Sequence, residues 1–370
     1  MRVVLLTGIW PPDVGGPATH GPELARYLLA RGHDVHVVTM ADGEVTERPC
    51  PVQTVSRSLP FPLRYSLVAT RGAHAARRAD VVYATATYAA AAAASALARR
   101  PLVAKLVSDP AYERAQRFGL FSGSLEEFAA AAGGRLGALR RARTRALGQA
   151  RWIVVPSEYL AEIARGWGLD AGRIIVVPNP APSVEGILPF PLEPNTFVFA
   201  GRLTRQKALR TAIDAVAQVP GARLLLIGDG PDRAGLERHA HESGLNGRVS
   251  FAGVRPRADV LSALAGARAA VLSSDWENFP HGVVEALAVG TPVVATAVGG
   301  VPEIVRDGVN GLLVPPGDPA RLAGALRLLA EDDGVRERLA AGAAPSVAGL
   351  EATVVYGRLE ALFLEPLRRS

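Results

Sequence analysis

The 370-residue chain contains one cysteine and two lysines, and each scarcity excludes a class of function. The single thiol, Cys50, permits neither an internal disulfide nor a multi-thiolate zinc site. It favours a reducing compartment, so we expect a cytoplasmic protein. Neither lysine, Lys105 nor Lys207, is followed by serine or threonine. Because a P-loop requires that pair, Walker-type ATPase chemistry is excluded.

Motifs of other enzyme classes are also missing. No GxSxG elbow and no HExxH occur, and the seven histidines are not spaced as metal ligands, so we expect structural roles for them. The turn after the first predicted strand has no GxGxxG. Pro11 and Pro12 remove backbone donors that a dinucleotide-binding turn would use. These absences disfavour conventional NAD binding.

Long apolar runs are scarce. Residues 81–98 form an uncharged stretch of nearly membrane-spanning length, but alanine dominates it and Thr85 and Thr87 interrupt it. It predicts a buried strand followed by an alanine-rich helix. The apolar run at the amino terminus is too short for a signal peptide and predicts the first strand.

Apolar strand-like runs alternate with helix-period segments throughout the chain. This alternation predicts parallel sheets covered by helices, and the length suits two or three domains. The first helix is expected to begin near Gly21, with Leu24, Leu28 and Leu29 on one face, and to end at Gly32. The predicted strands fall into two series: 3–7, 35–39, 81–84, 102–107 and 153–155, then 197–200, 224–227, 249–252, 270–272 and 292–295.

A proline-rich segment separates the two series. It begins at residues 177–182 and continues through Pro189, Pro191 and Pro194, which do not suit a helix interior or a central strand. We expect a linker here, between an amino-terminal domain of residues 1–180 and a second domain of residues 181–346. Two doubly wound α/β domains facing a central cleft are predicted. Their ligands should lie outside the carboxyl ends of the strands.

Charge is unevenly distributed along the chain. Residues 1–180 carry a net charge of +8 and residues 181–370 carry −2. An anionic membrane or nucleic acid could contact the basic half, but a solvated helix face is the more ordinary explanation. Nucleic acid is not expected, because no aromatic residues interleave the arginines. The densest basic group lies on a predicted helix and comprises Arg135, Arg140, Arg141, Arg143, Arg145 and Arg151.

Two glutamates, Glu277 and Glu285, follow the fourth strand of the second series across a loop that enters a helix. Amides at a helix start attract anions, and carboxylates accept hydrogen bonds from sugar or ribose hydroxyls. A capping loop with solvated acids would give the same pattern.

Neighbouring strand ends carry glycines and charges as well. Arg202 follows the first strand of this series and could hold a phosphate bidentately, and Lys207 could add a compact charge. The other strand ends carry residues 228–231, 253–255 and 299–303. Five consecutive strand ends are therefore expected to face one pocket.

Taken together, these motifs resemble the retaining glycosyltransferases of family 4, which have the GT-B fold. The family signature of two glutamates separated by seven residues is matched by Glu277 and Glu285. The resemblance covers essentially the whole chain. Its other segments are residues 15–16, 31–35, 178–180, 201–207, 228–231 and 290–295.

The resemblance implies roles for individual residues. Glu277 would hold hydroxyls of the donor sugar and Glu285 the ribose, whereas Arg202 and Lys207 would bind the diphosphate. A carboxyl-terminal helix at about residues 347–363, within a tail of about residues 347–370, would pack back on the first domain. Asn278 and Pro280 replace usual glycines and Ala208 replaces another, which leaves the donor's identity open. The remaining donor-binding positions would be Gly15, Gly16, Gly230, Arg255, Asn278, Phe279, Pro280, His281 and Gly282.

The resemblance also implies the reaction. A sugar would pass from a nucleoside diphosphate, UDP favoured and GDP the alternative, to an acceptor hydroxyl on a small molecule, lipid or glycan. The anomeric configuration would be retained, and neither a metal nor another cofactor would be required. A nucleotide-sugar epimerase or phosphorylase of this fold, a non-enzymatic sugar-binding protein and a nicotinamide oxidoreductase are the alternatives.

Acceptor contacts are expected on the first domain. Asp109 is a candidate general base, sugar contact or helix cap, and Glu113 follows it closely. His20 could contact either substrate or simply begin a helix. Tyr112 and Trp10 could stack on a sugar or be buried. The basic half also suggests peripheral contact with the inner membrane face, and no oligomeric state is predicted.

Overall fold

The computed structural model describes residues 1–13, 15–123, 125–131 and 133–368. These residues form two α/β units. The first comprises Met1–Pro178 together with Thr353–Ser370, and the second comprises Asn179–Ala352. Residues 178–195, where the prolines concentrate, contain no helix or strand.

Seven parallel strands form the sheet of the first unit. They are β1 (Arg2–Leu6), β2 (Asp34–Met40), β3 (Val52–Val55), β4 (Val81–Ala84), β5 (Leu102–Lys105), β6 (Trp152–Val155) and β7 (Ile174–Val176). Their order is β3-β2-β1-β4-β5-β6-β7, and Val3 pairs with Val35 on one side and Val81 on the other. The central strands are buried on both faces, which explains their continuous apolar runs.

The sequence predicted five of these strands and missed the two at the edges. Two of the four residues of β3 are polar and β7 has only three residues, so neither produces a long apolar run. The strand predicted at 102–107 ends at Lys105.

Helices cover this sheet. They are α1 (Gly16–Ala30), α2 (Phe61–Ala76), α3 (Tyr88–Ala98), α4 (Pro110–Arg117), α5 (Leu125–Ala130), α6 (Gly134–Leu147) and α7 (Glu158–Gly166). The predicted start of α1 near Gly21 is wrong by five residues. Gly21 instead lies inside the helix, where a Cβ atom would come within 2.7 Å of the ring of Trp10. The glycine is therefore needed for packing rather than for starting the helix.

Six parallel strands form the sheet of the second unit. They are β8 (Thr196–Ala200), β9 (Arg223–Ile227), β10 (Val249–Gly253), β11 (Ala269–Leu272), β12 (Val293–Thr296) and β13 (Gly311–Val314), in the order β10-β9-β8-β11-β12-β13. The sequence missed β13, which is at an edge. The helices are α8 (Leu209–Ala217), α9 (Arg233–Glu242), α10 (Arg257–Ala265), α11 (His281–Ala288), α12 (Pro319–Glu331) and α13 (Asp333–Ser346).

The last helix, α14 (Ala352–Leu364), belongs to the first unit. The helix predicted from residue 347 is wrong at its start, because the chain turns after α13 through Gly349, which has φ +87°. Glu360 of α14 accepts hydrogen bonds from Tyr27 Oη at 3.0 Å and His33 Nε2 at 2.6 Å. These contacts attach the helix to α1 and the segment after it. Among the described residues, no helix combines the length and apolar character needed to cross a bilayer.

Both sheets reverse their strand order at one point. In the first unit this is between β1 and β4, and in the second between β8 and β11. Crossovers diverge at such a point and leave a crevice at the carboxyl ends of the two strands. A ligand site is therefore expected at the loops that follow these strands.

Candidate functional site

Two loops of the second unit leave the sheet at its reversal point. Residues 201–208 follow β8 and residues 273–280 follow β11. Gln206 Nε2 donates to the carbonyl of Trp276 at 2.8 Å, and the amide of Asp275 donates to the carbonyl of Gln206 at 2.9 Å. Ser273 Oγ donates to the carbonyl of Lys207 at 2.9 Å. The loops are therefore fixed to each other by hydrogen bonds.

At the junction of these loops, the ammonium of Lys207 forms an ion pair with Glu277 Oε1. Ser274 Oγ donates to the same oxygen at 2.7 Å. The Glu277 side chain is 7% exposed and that of Lys207 17%. The described residues give Glu277 Oε2 no hydrogen bond. One carboxylate oxygen is thus fixed by two donors, while the other is available to a ligand hydroxyl.

The turn that holds Lys207 contains a non-glycine residue in the left-handed region. Residues 205–207 form a single 3₁₀ turn, and Ala208 follows with φ +44°. An L-residue costs about 1 kcal/mol or more in this region. The structure thus explains why a glycine suits this position.

Arg202 lies at the start of the first loop and is exposed. Within the described ranges it forms no ion pair. The adjacent glycine turn, residues 228–230, was expected to admit a ligand closely. Instead, a Cβ atom at Gly228 would come within 1.9 Å of the carbonyl oxygen of Gly201, and one at Gly230 within 2.2 Å of that of Leu203. The atoms that lie close to these two glycines therefore belong to the loop that carries Arg202, and not to a ligand.

The start of α11 lies directly over the end of β8. A Cβ atom at Gly282 would be 2.8 Å from the carbonyl oxygen of Ala200, so the close packing needs glycine. Glu285 lies in the second turn, with Oε1 3.4 Å from Arg257 Nε. His281 Nε2 is 3.3 Å from Asn179 Nδ2.

The residues between the two glutamates are largely part of the protein interior. Asn278 is 8% exposed, Pro280 is buried, and Phe279 packs against the core. The amide of Gly300 donates to the carbonyl of Glu277 at 3.0 Å, which ties in the loop after β12. Arg255 is exposed beyond the end of β10, and no contact joins it to the Lys207–Glu277 pair in the described parts of the chain.

In the first unit, Gly15 and Gly16 lie where expected, after β1 at the amino terminus of α1. His20 is 6% exposed, and its Nε2 lies 2.7 Å from Tyr83 Oη. Trp10 is fully buried and donates from Nε1 to the carbonyl of Glu47 at 2.8 Å. The structure favours burial, the alternative that the sequence left open for Trp10. His20 lies in the second turn of α1 and is buried, which the sequence did not predict.

The Asp109 side chain is held in a helix cap and a buried ion pair. Its Oδ1 accepts hydrogen bonds from the amides of Ala111 at 2.8 Å and Tyr112 at 3.3 Å, so it caps α4. Its Oδ2 forms a 2.5 Å ion pair with Arg143, and the Asp109 side chain is 2% exposed. The Arg143 guanidinium also lies 3.7 Å from the ring centroid of Trp167. With both oxygens engaged, a catalytic role for Asp109 is not supported and the capping interpretation is favoured.

We expect Asp109→Ala to lower the free energy of unfolding by about 4 kcal/mol, since it removes a cap and leaves Arg143 buried without its carboxylate. Asp109→Asn, which keeps a capping oxygen, should cost less. Urea unfolding measures both changes. Asp170 also caps a turn and pairs with an arginine, but is exposed. The control Asp170→Ala should therefore cost about 1 kcal/mol or less. A stable Asp109→Ala protein lacking turnover would instead indicate catalysis.

The remaining acceptor candidates, Tyr112 and Glu113, also form hydrogen bonds within the protein. Tyr112 is 4% exposed, and its hydroxyl donates to the carbonyl of Gly123 at 3.0 Å. Glu113 is exposed and accepts from Ser108 Oγ at 2.6 Å.

The predicted arginine-rich helix is only partly a solvated face. Arg143 is buried, and Arg140 donates to the carbonyls that end α5, among them Phe128 at 3.0 Å. Arg151 lies beyond α6 and not on it. The exposed members are Arg135, Arg141 and Arg145.

Sequence reasoning missed Ser274, Arg257 and Gln206. Ser274 lies three residues before Glu277, a spacing that could have suggested a local hydrogen bond. No sequence pattern indicated Arg257.

Burial raises the pKa of Cys50 to about 11, so its thiol stays protonated. No three His, Cys, Asp or Glu side chains of the described residues are grouped closely enough to hold a metal ion.

Both halves of the chain match family models. Residues 14–182 match Glycosyltransferase Family 4, and residues 183–344 match Glycosyl transferases group 1.

Curated relatives match part of the chain. It is 37% identical over 169 residues to the lipopolysaccharide core biosynthesis glycosyltransferase LpsE of Rhizobium meliloti, covering 46% of this chain and 47% of the relative. It is 37% identical over 195 residues to a D-inositol 3-phosphate glycosyltransferase of Nocardioides, covering 48% and 42%. The chain thus spans about half the length of these relatives or less.

Solved structures match the chain over its full length. HepE of Anabaena in complex with UDP-glucose has a TM-score of 0.82 at 23% identity, with 100% of each chain covered. Sucrose-phosphate synthase from Thermosynechococcus elongatus has a TM-score of 0.81 at 21% identity, again with 100% of each chain covered.

Proposed function

We propose that this chain, which belongs to glycosyltransferase family 4 and has the GT-B fold, transfers a sugar from a nucleoside diphosphate to an acceptor hydroxyl. The observation that carries the proposal is the Lys207–Glu277–Ser274 cluster at the reversal point of the second sheet. It combines a fixed carboxylate oxygen, a free one and a cation, and the loop that carries Lys207 also carries the exposed Arg202. A phosphorylated sugar offers the matching groups.

The donor's diphosphate would be held by Arg202 and Lys207. A guanidinium binds phosphate oxygens bidentately, and an ammonium has three donors, so Lys207 can keep Glu277 while it binds phosphate. Glu277 Oε2 would accept a hydrogen bond from a sugar hydroxyl, and Glu285 one from the ribose. We favour a UDP-sugar, which is supported by the UDP-glucose bound to HepE. A GDP-sugar is the alternative.

The chemical step would place negative charge on the leaving diphosphate. Two cations, Arg202 and Lys207, and the amides at the start of α11 would stabilise that charge without needing a metal. The bond between the anomeric carbon and the phosphate oxygen breaks as the acceptor oxygen bonds on the same face. Because the acceptor oxygen bonds on the face that the phosphate leaves, the anomeric configuration is retained. The acceptor's proton passes to a phosphate oxygen. The acceptor is a small molecule, lipid or glycan, and we place the reaction in the cytoplasm.

Thermal unfolding with UDP-, GDP- and ADP-sugars tests the donor site. A ligand at 100 times its Kd stabilises by about 2.7 kcal/mol, and we expect the largest shift from a UDP-sugar. Arg202→Ala should abolish most of that shift. Arg238→Ala removes another exposed arginine of the same unit and should not. A shift that is absent with every nucleotide sugar, or unchanged in Arg202→Ala, would refute the proposal.

Product analysis tests the reaction. Incubation with donor and a panel of acceptor hydroxyls, followed by NMR of the anomeric proton, should show retained configuration. The rate should be unaffected by a chelator. Conversion of donor alone would indicate an epimerase instead.

A further inference from the structure

The first unit exposes a cluster of large apolar side chains from two separate segments. Phe61 and Leu63 in the first turn of α2 are 40% and 49% exposed, and Phe118 and Leu120 just after α4 are 56% and 37% exposed. Single exposed apolar residues are ordinary, but contiguous groups of them mark interaction surfaces.

Ring contacts join the two segments into one surface. The ring centroid of Phe61 is 4.5 Å from that of Tyr65 and 6.4 Å from that of Phe118. The Arg114 guanidinium lies 4.9 Å from the centroid of Phe61 and 5.7 Å from that of Tyr65. We call this surface the aromatic–arginine patch; it comprises Phe61, Leu63, Arg64, Tyr65, Arg114, Arg117, Phe118 and Leu120.

The charge in the two segments that form the patch is predominantly positive. Residues 49–79, which include α2, contain five arginines and no aspartate or glutamate. On the other segment, Arg114 and Arg117 are followed by no acidic residue before Glu126. Glu113 is the adjacent acid, and Ser108 Oγ donates to it. The whole segment 1–180 has a net charge of +8.

We propose that the aromatic–arginine patch docks the first unit onto the surface of an anionic phospholipid bilayer. Aromatic rings are favoured at the level of the lipid headgroups, where one end is apolar and the other is hydrated. Arginines beside them attract anionic headgroups, each contributing about fivefold to binding at low salt. The patch lies on the membrane and does not span it. This inference does not depend on the proposed reaction.

Flotation with lipid vesicles tests the docking. The full chain should float with vesicles containing phosphatidylglycerol, stay in the dense fraction with pure phosphatidylcholine, and lose most of its binding at high salt. Phe118→Ser should lower the bound fraction about tenfold. Phe190→Ser changes a phenylalanine that is also 56% exposed, but in the second unit, and should bind as the parent does.

A second pair of variants isolates the charge. Arg117→Gln should weaken binding about fivefold, whereas Arg238→Gln, which removes an exposed arginine of the second unit, should leave it unchanged. Circular dichroism checks that each variant is folded. Equal flotation of Phe118→Ser and Phe190→Ser would overturn the proposal. So would no flotation of the parent, and if the parent then self-associated through Phe118, the patch would be a protein-binding surface.

Discussion

Lys207→Met is expected to lower kcat/KM about a thousandfold, the loss typical when one preorganised group that stabilises transition-state charge is removed. Lys207 is the only lysine in the second unit; it lies in the same loop as Arg202, and its ammonium pairs with Glu277. The variant removes charge from the diphosphate site and the fixed partner from Glu277. Initial rates over a range of donor concentrations measure the effect. Arg205→Met, in the same turn and exposed, should cost less than tenfold.

A double variant separates chemistry from stability. Lys207→Met should lower the free energy of unfolding by about 3 kcal/mol, because it leaves the Glu277 carboxylate nearly buried without its cation. Glu277→Gln removes the opposite charge. The double variant Lys207→Met/Glu277→Gln should recover most of the stability but none of the activity. Recovery of both would reduce the pair to a structural role.

Lys105→Met is expected to raise the free energy of unfolding, which no other substitution proposed here should do. Lys105 ends β5 with 1% of its surface exposed, and its Nζ donates to the carbonyl of Val177 at 3.3 Å. Burial lowers the pKa of its ammonium from 10.5 to about 7. The unfolded chain therefore binds this proton more tightly than the folded chain, so folding is penalised wherever the unfolded lysine is charged.

The pH dependence of this penalty has a definite sign. Below about pH 7 both states are protonated. The full penalty then applies, and Lys105→Met should stabilise by about 5 kcal/mol. Between about pH 7 and 10.5 the parent gains stability as pH rises, because the unfolded state binds more protons, and the advantage of the variant disappears.

Urea unfolding of parent and variant at pH 6, 8 and 10 measures this difference. Leu106→Met changes the adjacent buried residue without a titratable group, and its effect should not vary with pH. A Lys105→Met gain that is equal at all three pH values would show that Lys105 carries its charge in the folded state without penalty.

The central strands of both sheets were predictable, because strands buried on both faces are continuous apolar runs. β3, β7 and β13 were not, because each lies at a sheet edge and has only two or three apolar residues. The start of α1 was predicted near Gly21, whereas the helix begins at Gly16 and Gly21 lies inside it, packed against the ring of Trp10.

The sequence alone determined two doubly wound units, the glutamate pair and the cation-bearing loop, because each is a local pattern of residue type and spacing. Only the tertiary structure decided which charges meet. Lys207 and Glu277 are 70 residues apart, and Asp109 and Arg143 are 34 apart. Sequence spacing does not encode such distances, since they depend on which strands become neighbours and how their loops pack. The same packing assigned one carboxylate, Glu277, to a candidate site and the other, Asp109, to the support of a helix.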